Sequence, residues 1–320
     1  MVAYRILITN KIPDIAAKLL RDKGYNVLIP EDERSVGREQ LEREITQIDG
    51  LIPLLSDPID RPLLEKAKRL KVIANYAVGY NNIDIEYARQ KGIIVTNTPD
   101  ILTNATADLA FALLLSTAKR IVEADRFVRE GKFTGWGPLL MLGADVTGKT
   151  LGIIGAGRIG QAVGRRAAGF EMNVLYTSRS PKADFEEAAK AKYVDLNTLL
   201  AKSDFISIHC PLTAETRHLI NRQNISKIKR GAYLINTARG PVIEETALIE
   251  ALKNGHLAGA GLDVYEFEPR ITADLLTMDN VILLPHIGSA TYDTRSKMAE
   301  LAAKNIISVL ETGKALTPVN

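Results

Sequence analysis

Short apolar runs of roughly five residues alternate with amphipathic stretches of roughly ten along most of the chain, the pattern of strands and helices in turn. In the first hundred residues this predicts strands at 5–9, 26–30, 50–55, 70–76 and 93–96, with helices at 12–23, 38–47, 61–67 and 85–91 between them. Residues 98–100 (Thr-Pro-Asp) interrupt the series. Residues 105–130 then read as one long helix, a length that suits a helix crossing between domains. An irregular, glycine-rich connection follows at 131–148 and carries the single tryptophan, Trp136. A second alternating series predicts strands from 150, 173, 193, 205, 232, 259 and 281, and helices at 161–168, 185–191, 197–201 and 245–254. The last segment, 291–312, is a long amphipathic helix placed to return to the first domain, making that domain discontinuous. Strands alternating with helices predict an α/β protein with parallel sheets covered on both faces.

The clearest break in the pattern is TLGIIGAGRIG at 150–160. Gly155, Gly157 and Gly160 fall in G-x-G-x-x-G spacing between a strand and a helix, which predicts a cradle for a dinucleotide pyrophosphate. Gly155 permits the tight turn, Gly157 lets backbone approach phosphate, and Gly160 lets the helix pack on the strand. The first α/β series has Thr9-Asn10-Lys11 after its opening strand instead, so it is expected to hold substrate.

Length and composition narrow the setting. A chain of 320 residues, 46% hydrophobic and 25% charged, suits two globular domains. A net charge of +3, from 41 basic and 38 acidic residues, argues against nucleic acid and membrane surfaces. The lone Cys210 excludes a disulfide framework or a cysteine-rich metal site and fits a reducing compartment. MVAYRILIT at the start has no signal-peptide layout, and the longest near-apolar run, 109–115, is far short of a membrane span. A cytoplasmic protein without metal is expected.

The second strand of the nucleotide series ends in Thr177-Ser178-Arg179-Ser180, where an acid would ordinarily bind the adenine ribose 2′-hydroxyl. Arg179 with the Ser178 and Ser180 hydroxyls suits a 2′-phosphate, so NADP(H) is favoured, with NAD(H) as the alternative. Of the four histidines, His218 and His256 lie in polar turns and are expected at the surface. His209 ends a buried strand and either touches cofactor or packs. His286 follows the apolar VILLP and precedes Ile287-Gly288-Ser289, which places an imidazole at a strand's carboxyl end beside a small-residue turn. It is the best candidate for proton transfer. Two further strands end in Thr237-Ala238-Arg239-Gly240 and in Asp263-Val264-Tyr265-Glu266-Phe267-Glu268. Arginine grips a carboxylate at two points, and a carboxylate beside an imidazole holds it protonated near neutrality. Together they form a coherent hydride-transfer site.

GAGRIG, HCPLTAET, INTARG, AGLDVYEFEP and LPHIGSAT, in this order and spanning nearly the whole chain, resemble the D-isomer-specific 2-hydroxyacid dehydrogenases. The resemblance implies a Rossmann-type nucleotide-binding domain, residues 100–287, inserted into a flavodoxin-like substrate-binding domain, residues 1–99 and 288–320. It further implies an active site in the cleft between them and a homodimer formed through residues 100–148. The family's catalytic arginine, acid and histidine fall on Arg239, Glu268 and His286. Cofactor contacts carry over to Thr103, Ala156, Gly157, Arg158, Ile159, Ser178, Arg179, Ser180, Cys210, Pro211, Thr237, Ala238, Asp263 and Gly288. Within the family, NYAVGYNN at 75–82 is similar to the substrate loop of glyoxylate/hydroxypyruvate reductases. The resemblance therefore implies a small 2-keto or 2-hydroxy acid substrate, its carboxylate held by the Val78 and Gly79 amides with Arg239. Leu54 borders the substrate, and Trp136 either borders the partner subunit's active site or packs in the dimer. A 2-ketogluconate reductase, a D-3-phosphoglycerate dehydrogenase and a nucleotide-sensing binding protein share the same core and stand as alternatives.

Overall fold

The computed structural model describes residues 3–31 and 36–320; Met1 and Val2, which open the N-terminal run, lie outside the described residues, as do 32–35. The chain divides into two compact units, 1–102 with 289–320, and 103–288. The junctions fall after Leu102 and after Gly288, slightly later than the sequence suggests. A helix begins at Thr103, and Gly288 is tied to the second unit through its carbonyl, which accepts from Thr106 Oγ1 at 3.0 Å.

The first unit runs β1 (Arg5–Ile8), α1 (Ile15–Asp22), β2 (Asn26–Leu28), α2 (Arg38–Glu44), β3 (Gly50–Ile52), α3 (Arg61–Lys66), β4 (Val72–Ala74), α4 (Ile85–Gln90) and β5 (Ile94–Thr96). Its sheet is parallel in the order β2-β1-β3-β4-β5, the flavodoxin-like order. Pro13 holds Ile12 out of helical conformation, so α1 starts three residues later than its periodicity suggests. Pro53 has no N–H to continue a ladder and ends β3 early. Asp60 and Asp84 cap α3 and α4 by accepting the Leu63 and Tyr87 amides at 3.1 and 3.0 Å.

The second unit opens with α5 (Thr103–Ala118) and α6 (Ile121–Arg129), not with one long helix. Arg120 sits in the left-handed region (φ 56°) and breaks the helix, while its guanidinium binds Glu123 at 2.6 and 2.8 Å. Nor is α5 a surface segment: it packs against the nucleotide sheet with Ala107, Ala110, Leu113 and Leu114 buried. The chain continues through β6 (Thr150–Ile154), α7 (Arg158–Ala167), β7 (Asn173–Thr177), α8 (Ala183–Ala189), β8 (Lys192–Tyr193), α9 (Leu196–Lys202), β9 (Phe205–Ile208), β10 (Ala232–Asn236), α10 (Glu245–Lys253), β11 (Leu257–Leu262), α11 (Ala273–Leu276) and β12 (Val281–Leu283). The seven strands are parallel in the order β12-β11-β10-β9-β6-β7-β8. Strand order reverses at β6, next to the glycine turn, which is where such sheets bind ligands.

The final helix, α12 (Tyr292–Thr312), belongs to the first unit and packs on α1 and on β3–β5. Thr291 Oγ1 caps its start by accepting the Thr294 amide. The tail beyond it runs antiparallel to the exposed edge of β5, where Thr96 bridges Pro318 and the Val319 amide donates to Val95 O. Asn305, fully buried on α12, holds this tail: its Oδ1 accepts the Leu316 and Thr317 amides at 3.0 and 3.1 Å, and its Nδ2 donates to Leu301 O and Thr317 Oγ1. Among the described residues no helix is long and apolar enough to cross a membrane, and no group of three His, Cys, Asp or Glu is placed to hold a metal. Replacing Asn305 by alanine strips the amides of Leu316 and Thr317 of their acceptor and is expected to destabilise the first unit by about 1–3 kcal/mol. The check is a urea midpoint together with faster hydrogen exchange at the Val95 and Val319 amides; wild-type values for both would refute this account.

Candidate active site

The glycine turn after β6 has the form its spacing suggests. Gly155 is left-handed (φ 97°), and a Cβ there would sit 2.5 Å from the Cys210 amide nitrogen. A Cβ on Gly160 would collide with the Gly155 carbonyl, so α7 lies as close to β6 as backbone allows. Gly157 differs: a Cβ there would meet nothing within 4 Å, so its backbone faces open space. It is the N-cap of α7, which starts without a side-chain cap. An uncapped helix start with an unobstructed approach suits a pyrophosphate. Ala156 is buried beside it, and its carbonyl accepts from Gln161 Nε2. At the end of β10 the Thr237 hydroxyl is buried and has no hydrogen-bond partner among the described residues, which fits a polar ligand group there. These residues fit a dinucleotide.

At the end of β7, Ser178 Oγ donates to Ser180 O at 2.7 Å and Lys182 Nζ to Ser180 Oγ at 3.3 Å. Arg179 is exposed, and no acid occupies the turn 177–182. Pro211 is exposed, whereas Cys210 is buried, and burial pushes its thiol pKa up to about 11. Thr103 is the first residue of α5. His209 hydrogen-bonds Ser207 Oγ at 2.8 Å, and burial pushes its pKa down to about 3, so it is neutral near pH 7.

Adjacent strand ends of the nucleotide sheet carry the three candidate catalytic side chains. After β10 the Asn236 side chain folds the turn, its Oδ1 accepting the Ala238 amide and its Nδ2 donating to Arg239 O, both at 3.0 Å. Arg239 Nη1 donates to Ala238 O at 2.7 Å. Burial lowers the guanidinium pKa and the Glu268 charge counters it, but an arginine stays charged. The next residue, Gly240, lies so near Tyr265 that any Cβ would collide with the Tyr265 carbonyl. After β11, the Tyr265 amide donates to Glu268 Oε1 at 2.9 Å, and Glu268 Oε2 meets His286 Nδ1 at 3.0 Å. Burial raises the Glu268 pKa, but the hydrogen bond and charge of His286, the Tyr265 amide and Arg239 outweigh it and leave the carboxyl below its usual range. His286 itself is left-handed (φ 55°). Asp263 holds the turn beyond it: Oδ1 accepts the Ile287 amide at 2.7 Å and Oδ2 the Gly288 amide at 2.8 Å. Burial raises the Asp263 pKa against these two bonds and the His286 charge.

In the first unit the 75–82 loop is held from behind by asparagines. Asn97 Nδ2 donates to Val78 O and Asn75 Nδ2 to Gly79 O, each at 2.8 Å. A trans peptide points its N–H opposite its carbonyl, so anchoring Val78 O turns the Gly79 amide the other way. Among the described residues the Val78 and Gly79 amides donate to no protein group. The Leu54 amide donates to Asp57 Oδ2 at 2.8 Å and its carbonyl accepts from Asn82 Nδ2 at 3.1 Å. Trp136 is 85% exposed, and Val128, Phe133, Leu139 and Leu142 are each more than half exposed around it.

Of the two histidines expected at the surface, His218 keeps 36% of its side chain exposed with Nε2 2.6 Å from Glu266 Oε1, and His256 is half-buried, its Nε2 without a partner among the described residues. Glu245 and Asn97 carry no sequence signal for a role, and Glu266, Asn75, Asn236 and Asp263 stand in the sequence only within strand-end and loop motifs, with nothing there to show the contacts they make.

Residues 111–288 match the family described as D-isomer specific 2-hydroxyacid dehydrogenase, NAD binding domain. A glyoxylate reductase of Thermococcus litoralis is 52% identical over 308 residues, covering 95% of this chain and 93% of its own. A NADPH-dependent glyoxylate/hydroxypyruvate reductase of Sinorhizobium meliloti, solved with NADP and malonate, superposes with a TM-score of 0.87 at 34% identity, covering 99% of this chain and 96% of that one. A D-lactate dehydrogenase of Aquifex aeolicus, solved with NAD and lactic acid, gives 0.85 at 32%, covering 96% and 95%. Fold, glycine turn and relatives agree: the chain belongs to the D-isomer-specific 2-hydroxyacid dehydrogenases, enzymes that work with a nicotinamide cofactor.

Proposed function

We propose that this protein reduces small 2-keto acids, glyoxylate and hydroxypyruvate foremost, to the D-2-hydroxy acids with NADPH. The observation that carries the reading is the Glu268–His286 hydrogen bond at the end of the nucleotide sheet, in a chain half identical to glyoxylate reductases. The nicotinamide, when bound, supplies the hydride. Arg239 grips the substrate carboxylate and polarises the keto oxygen, and the Val78 and Gly79 amides donate to the same carboxylate. Leu54 borders the reacting carbon. Glu268 engages Nδ1 of His286, which leaves Nε2 to give a proton to the keto oxygen as the carbonyl carbon takes the hydride. Oxidation runs the same path backwards, with neutral His286 taking the proton.

The preference for NADPH rests on Arg179, Ser178 and Ser180, with Lys182 beside them and no acid in the turn. Thr103, Arg158, Ile159, Pro211 and Ala238 are further cofactor contacts in this reading. The exposed apolar side chains flanking Trp136 in the chain support a homodimer formed through residues 100–148. A single buried cysteine suits a cytoplasmic setting.

His286→Ala is expected to lower kcat with glyoxylate by at least about 100-fold, the usual contribution of a positioned acid. Retention of more than about a tenth of wild-type turnover would sink the assignment. In side-by-side initial rates, NADPH should outperform NADH, and Arg179→Ala should cost about 10–100-fold in kcat/KM for NADPH while sparing NADH, the value of a charge-assisted phosphate contact. Wild-type preference for NADH would overturn this cofactor choice. For the dimer, Leu139→Glu combined with Leu142→Glu should halve the mass measured by sedimentation equilibrium, and an unchanged mass would place the interface elsewhere.

A further inference from the structure

The turn that carries Glu268 is fastened by a second pair of acids. Glu245, 4% exposed, is the first residue of α10. Its Oε2 accepts the Glu266 amide at 3.1 Å, and its Oε1 accepts the Thr272 hydroxyl in a short hydrogen bond. One carboxylate therefore ties both ends of the 266–272 segment, with Glu268 between them. Glu266 returns the contact: its Oε2 accepts the Glu245 amide at 2.9 Å, and its Oε1 meets His218 Nε2 at 2.6 Å. The Glu266 side chain is 7% exposed.

The exchange has a physical rationale on both sides. The Glu245 amide belongs to the first turn of α10, whose donors have no intrahelical acceptor, and α10 has no side-chain cap of its own. The Glu266 carboxylate fills that place and sits at the positive end of the helix dipole. Two carboxylates this close repel, so His218 and the two amides are the groups that let them stay. Of the remaining charged groups near the segment, Arg270 stacks on the Phe267 ring at 5.2 Å, while Glu244 is turned away to the Arg222 amide. Arg239, Asp263 and His286 lie on the Glu268 side.

We infer that Glu245, with Glu266 and His218, is a positioning staple that holds the 266–272 segment so that Glu268 reaches His286. None of the three touches substrate in the proposed mechanism; they act through Glu268, and the inference rests on the role given to Glu268 above. Loosening the staple lets Glu268 drift from His286, and the ring loses the partner that turns its Nε2 toward the keto oxygen. Turnover must fall while cofactor binding holds.

The experiment compares wild type, Glu245→Ala, Glu245→Gln and Glu268→Gln, all full-length, in kcat and KM for glyoxylate reduction with NADPH. Glu245→Ala is expected to lower kcat about 10-fold, in the direction of Glu268→Gln but less far. KM for NADPH should stay within about twofold, and Glu245→Gln, which keeps one acceptor, should fall between wild type and alanine. A purely structural Glu245 would lower the melting temperature and leave kcat of the folded enzyme in place, and that result overturns the inference. Should Glu245→Ala not fold, a wild-type kcat in Glu245→Gln overturns it equally. A wild-type kcat in Glu268→Gln would instead remove the role of Glu268 on which the staple depends.

Discussion

The geometry of the candidate catalytic side chains depends on how closely the ends of β10 and β11 approach. Their parallel pairing, continued into β12, brings three successive strand ends to one edge of the sheet. At the first of these ends Gly240 touches the Tyr265 backbone with no room for a side chain. That contact puts Arg239 beside the turn whose Tyr265 amide orients Glu268, and Glu268 in turn orients His286. His286 adopts a left-handed backbone, a conformation that costs a non-glycine residue roughly 1–2 kcal/mol. Asp263 offsets this by taking the next two amides, a bidentate clamp that leaves the histidine's backbone little freedom. The strain thus sits at the residue whose orientation matters most, as it commonly does in active sites.

Backbone presentation recurs in both units. In the nucleotide unit the glycine turn leaves open space before an uncapped helix start, with Gly155 making the tight turn and Gly160 letting α7 pack close. In the first unit the Thr98 amide binds the Ala77 carbonyl and Asn97 binds the Val78 carbonyl, which aims the Val78 and Gly79 amides without any charged side chain. An anion held by fixed amides needs no flexible partner to be ordered on binding, which is the advantage of such preorganisation.

The parts of this structure legible in the sequence are those written in short-range periodicity. Parallel strands, their order of appearance, the glycine fingerprint and the three strand-end side chains all follow from patterns a few residues long. The helix break at Arg120 does not, because the run 105–130 contains neither glycine nor proline and a left-handed arginine leaves no compositional trace. Asn305 reads as one more polar residue of an amphipathic helix, and its burial depends on a tail that returns to β5. Glu245, Glu266 and His218 each look solvated in isolation. Their meeting joins a helix start to two loops that only the folded sheet brings together.

Electrostatics single out one of the four histidines for the proposed proton chemistry. His209 lies at a strand end too, yet burial without a charged partner drives its pKa to about 3, so it cannot hold a proton near neutrality. Cys210 beside it stays a neutral thiol for the same reason. His218 faces an acid, but that acid already serves the start of α10, and Nε2 is the nitrogen engaged. His286 alone has an ionised carboxylate on Nδ1, and its strand end lies beside that of Glu268 and two strands from that of Arg239, which leaves Nε2 for the proposed proton delivery while Glu268 holds the ring. Selectivity among chemically identical side chains arises here from which nitrogen is occupied and by what charge, and both are set by backbone contacts several residues away.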